Sequence, residues 1–289
     1  MVQSIFGATE LLDIDYWRSR FPDQRIDDSL GVAEGTPPAV PQLMKGDLAR
    51  DGVCRMERAA GEDLRMRLLL DLRRAGHIFG HPIYAVALEA FWFAAFRLGE
   101  SARFAMGNDV SVTTLPAIVT VPPKHAGVGP HRDSQLRAFK DDGAPTRLSV
   151  WLALTAAEVD RACLHYLPMW ADPNVPDDLS SVQVPDLRLI RAVPMAAGDA
   201  LMFNQAVLHW GGYNATRHTR VGVVWEFADS VNCTDDEAAV ALESDISFAK
   251  RLGFMARAIM RLSQRDTALA EPRHLDVARE IYLNLRDSG

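Results

Sequence analysis

Gly198-Asp199-Ala200-Leu201-Met202-Phe203-Asn204-Gln205-Ala206-Val207-Leu208-His209-Trp210-Gly211-Gly212-Tyr213-Asn214 is followed, after a short turn, by Arg220-Val221-Gly222-Val223-Val224-Trp225-Glu226-Phe227. Gly198-Asp199 marks a tight turn before one strand, and Gly211-Gly212 marks another just after His209. Working outward, short runs rich in Val, Ile, Thr and aromatics, bounded by Pro, Gly and Asp, predict further strands. They lie at Val112–Val121, Arg147–Thr155, Cys163–Leu167, Leu187–Val193, Ala200–Phe203 and Arg220–Ala228. Helices do not alternate with these runs, so the pattern reads as an antiparallel sandwich or barrel rather than a parallel α/β sheet.

The flanks have a different texture. From Glu62 to Leu98 apolar residues recur at helical spacing, with Gly76, Gly80 and Pro82 as breaks, which predicts two helices packed on one side of the β region. The longest apolar stretch, Pro82 to Phe96, is interrupted by Glu89 and is too short to span a bilayer, so it reads as a buried helix. Gly31 to Gln42, with Pro37, Pro38 and Pro41, reads as a link between an N-terminal helical piece and the main body. Thr234-Asp235-Asp236-Glu237 matches a capping box ahead of a mostly helical segment, Ala238 to Leu285. The chain thus divides into an N-terminal helical segment, 1–110, a β core, 111–230, and a C-terminal helical segment, 231–289. The helical ends are packing elements first, and an interface for a homo-oligomer second.

With 289 residues, 48% of them hydrophobic and 24% charged, the chain has the balance of a globular protein with a large core. A formal net charge of −7, with scattered basic residues, leaves no electropositive stripe for nucleic acid. Three cysteines, Cys54, Cys163 and Cys233, are far apart and form no C-x-x-C pair, so neither a disulfide framework nor a structural zinc site is expected. The segment Met1 to Tyr16 carries Glu10, Asp13 and Asp15 and does not read as a secretory signal. A cytoplasmic protein, without membrane or nucleic-acid partners, is the expectation.

Gly129-Pro130-His131-Arg132-Asp133 sets a histidine and a carboxylate two apart. On extended chain, side chains two apart share a face, so His131 and Asp133 can grip one metal ion. The pair alone means little, because 8 His among 38 acidic residues supply about one such pair by chance. A second indeed occurs at His274-Leu275-Asp276, but on a helical segment, where residues two apart point away from each other. His274 is therefore read as structural and at the surface. His131 instead follows a strand and a Pro/Gly-rich turn, and His209 follows in another strand-like region, which is the arrangement of a facial triad. Arg220 opens the next strand, where its paired donors can bind an acid chelated to the metal. Arg217, three residues earlier in the turn after Asn214, is its competitor.

Taken together, H-x-D, the strand Ser149-Val150-Trp151-Leu152-Ala153-Leu154, Cys163-Leu164-His165-Tyr166-Leu167-Pro168 and the G-D…F…H-x-G…N…R series resemble the Fe(II)/2-oxoglutarate dioxygenases, and within them the phytanoyl-CoA dioxygenase-like group. The resemblance covers roughly Val112 to Phe227. It implies a double-stranded β-helix (jelly roll, cupin-like) core, Fe(II) on His131, Asp133 and His209, and 2-oxoglutarate paired to Arg220, with Trp151 beside the co-substrate and O₂ as the second co-substrate. It also implies oxidation of a small molecule, with hydroxylation as the default outcome and desaturation or cyclisation as variants. Halogenating relatives carry Ala or Gly where this chain has Asp133. Where relatives usually have Pro-Gly-Ser-His, this chain reads Pro168-Met169-Trp170-Ala171, so substrate choice does not follow from the resemblance.

Taken as an isolated pair, His131 and Asp133 would be a turn histidine and a surface acid, and His209 by itself a core histidine, but the downstream histidine, Gly211-Gly212 and Arg220 weigh against those readings; Trp151 is as readily plain core as a cofactor wall. A cupin-type metal-binding barrel acting without 2-oxoglutarate would keep the His and carboxylate ligands and have no need of Arg220. A non-catalytic binding protein is the other alternative. Trp151, Trp170, Trp210 and Trp225 suggest an apolar or aromatic pocket, and Arg132, Arg137 and Lys140 lie where they can meet an acidic substrate. His165 sits on a strand expected to approach the barrel mouth. An amino acid or a natural-product intermediate is the substrate class expected.

Overall fold

A computed structural model of the chain describes residues 6–24, 26–27, 29–30, 43–107, 109–113, 116–136, 139–233, 239–242 and 245–286. In chain order its elements are α1 (Ala8–Leu12), α2 (Ile14–Arg20), β1 (Ser29–Leu30), α3 (Leu43–Asp51), β2 (Val53–Met56), α4 (Glu62–Phe79), a three-ten helix (Pro82–Ala87) and α5 (Glu89–Met106). The β region follows as β3 (Val110–Thr113), β4 (Ala117–Val121), β5 (Arg147–Ala153), β6 (Leu164–Tyr166), β7 (Arg191–Val193), β8 (Ala200–Asn204), β9 (His209–Gly211) and β10 (Arg220–Asp229). It ends with β11 (Ala239–Ala241), β12 (Ile246–Ser247), α6 (Phe248–Leu262) and α7 (Pro272–Arg286).

Seven strands form an antiparallel sheet in the order β11-β3-β10-β5-β8-β2, with β4 also paired to β10, and β7-β6-β9 form a second sheet. Strands β3 and β4 lie along the same edge of β10, one beside Phe227 to Asp229 and the other beside Arg220 to Val224. This is an antiparallel double-stranded β-helix with flanking helices.

The two-residue period decides which side chains face the helices and which face the site. Along β5, Leu148, Val150 and Leu152 join the core beneath α4 and α5, as do Val223, Trp225 and Phe227 along β10. The intervening residues, Ser149, Trp151 and Ala153 on β5 and Arg220, Gly222, Val224 and Glu226 on β10, turn to the inside of the barrel. Register sets them side by side: Trp151 opposite Val224 and Ser149 opposite Glu226. Trp225 is fully buried and packs on Phe91 of α5, with ring centroids 5.0 Å apart. Burying side chains of this size contributes about 1.5–3 kcal/mol each, which clamps the sheet to the helices and keeps its other face in place.

Several expected boundaries shift. The run Val112–Val121 is two strands, β3 and β4, with Pro116 between them, since proline cannot donate to the ladder. Leu187–Val193 begins as a three-ten turn capped by the Asp186 side chain, and only Arg191–Val193 pairs. Gly76 does not break α4, which runs on to Gly80 in the left-handed region, and Pro82–Phe96 starts as a three-ten helix before α5. The N-terminal region supplies an edge strand, β2, and the segment after Ala238 forms β11 and β12 before any helix. The Gly31 to Gln42 link and the Thr234–Glu237 capping box lie outside the described residues.

His274 is structural, as expected, but it is not at the surface. It is fully buried in α7, with Nδ1 2.9 Å from the Tyr84 hydroxyl. Burial first, and the nearby Arg273 charge next, push its pKa down to about 4. The native state thus holds a neutral ring, while the unfolded chain takes up a proton below about 6.5. Stability from this site is complete above pH 6.5 and is lost as the pH falls towards 4, by about 3 kcal/mol in total. His274→Phe should flatten the decline of Tm across that window. An equally steep decline in the variant would show that His274 does not cause it.

Candidate metal centre

His131 and His209 face each other as a cross-strand pair: each amide donates to the other's carbonyl at 3.0 Å. The Asp133 amide donates to the Gln205 carbonyl, which anchors the turn beyond β8 to the segment after His131. Extended backbone from 131 to 133 sends Arg132 the opposite way, into a buried ion pair with Asp172 at 2.8 Å. His131 and Asp133 therefore share the inner face. The imidazole centroids are 4.2 Å apart. Asp133 Oδ1 lies 3.4 Å from His131 Nε2 and 3.7 Å from His209 Nε2. One ligand atom from each residue falls within 4.8 Å of the others.

The surrounding hydrogen bonds prepare these atoms. His131 Nδ1 lies 2.8 Å from the Gly129 carbonyl, and His209 Nδ1 lies 3.0 Å from that of Val207. A carbonyl only accepts, so each Nδ1 carries the proton and each Nε2 presents its lone pair. The Ser149 hydroxyl donates to Asp133 Oδ2 at 2.6 Å, holding one carboxylate oxygen and leaving the other for the centre. Burial pushes the Asp133 pKa up, but the two imidazoles and Ser149 outweigh it and keep the group below its ordinary value. Burial pushes His209 below the usual histidine range, so it is neutral at pH 7, the form that binds a metal.

Arg220 stands in the same cavity. It is 1% exposed, its Nε and Nη1 have no hydrogen-bond partner among the described residues, and burial lowers its pKa to about 10. Its guanidinium lies 5.0 Å from the centre of the Trp151 ring, whose Nε1 is also buried without a partner among the described residues. A Cβ on Gly222 would overlap the Trp151 indole, so the absence of a side chain at 222 lets the indole lie across β10. Arg217 is exposed in the turn and does not line the cavity.

The cavity measures about 580 Å³ and is lined by His131, Asp133, His209, Arg220 and Trp151. Of the other tryptophans, Trp225 is core, Trp210 stacks on His165, and Trp170 is exposed and bonded to Asp51. None of these three lines the cavity, and neither does His165. Arg132 and Lys140 are occupied by Asp172 and Asp229, while Arg137 lies outside the described residues. Sequence reasoning passed over Glu226, His81, Arg261 and Arg265, which line the cavity. Glu226 was within reach, since it is six residues beyond Arg220 on one strand and so on the same face. The other three come from the end of α6, the turn after it and the residue before the Pro82–Ala87 helix, and no local pattern reports their approach to the barrel.

An antiparallel double-stranded β-helix, with two histidines and a carboxylate converging beside a desolvated arginine, defines the class: non-haem iron dioxygenases that use 2-oxoglutarate and O₂. Residues 50–222 match the family model described as phytanoyl-CoA dioxygenase (PhyH), which is more than half of the chain, and the protein belongs to that family. No curated protein sequence matches it. Among solved structures, AviO1 from Streptomyces viridochromogenes Tue57 is similar at 18% identity and a TM-score of 0.55, over 69% of this chain and 99% of that one. HygX from Streptomyces hygroscopicus, solved with nickel and 2-oxoglutarate bound, is 13% identical with a TM-score of 0.54, over 66% of this chain and 88% of that one. The epimerase SnoN from nogalamycin biosynthesis, in complex with Fe3+, alpha ketoglutarate and nogalamycin RO, is 19% identical with a TM-score of 0.53, over 65% and 83%. At these identities the likeness is one of fold.

Proposed function

We propose that His131, Asp133 and His209 hold Fe(II), that Arg220 binds the far carboxylate of 2-oxoglutarate beside Trp151, and that the enzyme hydroxylates a small molecule such as an amino acid or a natural-product intermediate. The observation that carries this reading is a buried guanidinium, with donors unpaired among the described residues, in the same cavity as a donor set of two imidazoles and a carboxylate. An unpaired buried charge is costly, and a carboxylate is the ligand that matches a guanidinium fork. That is also why the reading is preferred to a cupin acting without 2-oxoglutarate, for which Arg220 would be an uncompensated cost. Two imidazoles and a carboxylate suit Fe(II), and the bound iron supplies the activation of O₂ coupled to loss of CO₂ from 2-oxoglutarate.

The chain's own residues then have separate tasks. The Gly129 and Val207 carbonyls fix the tautomers of the two histidines, and Ser149 fixes the carboxylate. Arg220 orients the co-substrate, and the indole of Trp151 keeps water from the guanidinium. Phe203, with its ring centroid 4.6 Å from that of His209, closes the apolar wall behind the centre. Natural-product chemistry is supported by the similar structures, among them an epimerase and a carbocyclase from nogalamycin biosynthesis. Among the described residues no helix is long and apolar enough to cross a membrane, and the three cysteines are free, which suits the cytoplasmic location expected. Purified protein given Fe(II), 2-oxoglutarate and O₂ should form succinate, slowly alone and faster with a substrate. Absence of any succinate would remove the reading.

Asp133 also bears on the product. A carboxylate in the ligand set fills the position that chloride would need, and its negative charge repels the halide. Reactions in saturating NaCl should give oxygenated, desaturated or cyclised product and no chlorinated species by mass spectrometry. A chlorinated product from the wild-type protein would sink this expectation.

A further inference from the structure

We propose that the substrate carries an anionic group, a carboxylate or a phosphate, and that Arg261 and Arg265 hold it at the open end of the cavity. The inference rests on the iron and 2-oxoglutarate reading above and names the chemistry of the substrate for that site. Arg261 lies in the last turn of α6 and Arg265 in the turn that follows, and both line the cavity while remaining exposed, which puts them at its rim. Neither side chain has an ion-pair or hydrogen-bond partner among the described residues. Nearby arginines differ: Arg273 pairs with Glu271, and Arg279 with Asp276.

The charges of the cavity point the same way. Iron and Arg220 bring three positive charges, which Asp133 and the two carboxylates of 2-oxoglutarate balance. Glu226 also lines the cavity, but it is buried on the inner face of β10 rather than exposed at the rim. Asp266, beside Arg265, is already held by His81 Nε2 at 3.2 Å and by the Ala268 amide at 2.9 Å. At the rim, two guanidinium groups thus stand beside one carboxylate, Asp266, that already has partners. A guanidinium fork matches carboxylate and phosphate oxygens in pairs, and two forks four residues apart can share one anion.

Ile83, Ile118, Val119, Leu164, Val224 and Leu262 also line the cavity, so much of its wall suits an apolar substrate body. A cavity of about 580 Å³ suits a small molecule together with 2-oxoglutarate and not a polymer. The arginines also lie beyond residue 222, where the family match ends. They belong to the part of this chain that can differ from relatives sharing its iron chemistry.

The test uses the full chain, loaded with Fe(II) and 2-oxoglutarate without oxygen, and four probes of one apolar skeleton: phenylacetate, phenyl phosphate, phenylacetamide and phenethylamine. At least one anion should bind tenfold or more tightly than the amide and the amine, by calorimetry, and the better anion separates carboxylate from phosphate. The double variant Arg261→Gln/Arg265→Gln should lose tenfold or more of that affinity, while its apparent KM for 2-oxoglutarate in substrate-free turnover stays unchanged. The proposal is overturned if neither anion exceeds the amide, or if the double variant binds the anion as the wild type does. It is also overturned if the variant raises the KM for 2-oxoglutarate, since the arginines would then serve the co-substrate. Wild-type protein that forms no succinate under any condition would refute the iron and 2-oxoglutarate reading instead, and anion selectivity measured on the metal-free chain would still decide the role of the arginines.

Discussion

Replacing Arg220 by Met should raise the apparent KM for 2-oxoglutarate by tens-fold or more and at the same time leave the co-substrate-free protein as stable as the wild type, or more so. The two effects have one cause. Arg220 is buried, its Nε and Nη1 lack partners among the described residues, and burial already lowers its pKa to about 10. Without a carboxylate the folded chain carries a desolvated charge, and an apolar side chain of similar volume relieves it. With 2-oxoglutarate bound, a buried charge-assisted pair is worth roughly 2–5 kcal/mol when one partner is removed, enough for the KM change stated. Addition of 2-oxoglutarate should therefore raise the Tm of metal-loaded wild-type protein and fail to raise that of the variant. Arg217→Ala should do neither, because that side chain is exposed and outside the cavity. An unchanged KM in the Met variant, with a large change in Arg217→Ala, would transfer the role to Arg217.

Alanine at His131, Asp133 or His209 should abolish turnover and stoichiometric Fe(II) binding, each alone. Their Nε2 and carboxylate atoms converge within 4.8 Å, and no other group of three or more His, Cys, Asp or Glu among the described residues offers a metal such a set. Ser149→Ala makes the series graded. Its hydroxyl holds the other Asp133 oxygen at 2.6 Å, and losing an outer partner of this kind typically costs roughly 10–100-fold in metal affinity or activity. His131 is the most informative position, since it is half-buried and its loss leaves the core intact. Full activity with bound iron in His131→Ala would show that the centre lies elsewhere. Equilibrium dialysis with metal analysis gives the readout independently of any substrate.

The sequence by itself determined the β character of the middle of the chain, the helical flanks and the inward set His131, Asp133, His209 and Arg220. The reason is physical: a two-residue period, glycine turns and the absence of intervening helices are local properties of a chain, and they dictate which face each side chain takes. His131-x-Asp133 is informative on that account, while the same spacing at His274-x-Asp276 means something else on a helix. Only the tertiary structure decided what those faces meet. Nothing local reports that Arg132 turns into a buried pair with Asp172, forty residues on, or that His274 leaves the surface to meet Tyr84 across the helical layer. β9 is only three residues long, and its pairing with β6 on one side and its bridge to His131 on the other come from contacts distant in sequence. The same holds for the substrate end of the cavity. Arg261, Arg265 and His81 read as ordinary helix-surface and loop residues until the packing of α6 beside the Pro82–Ala87 helix turns them towards the metal centre.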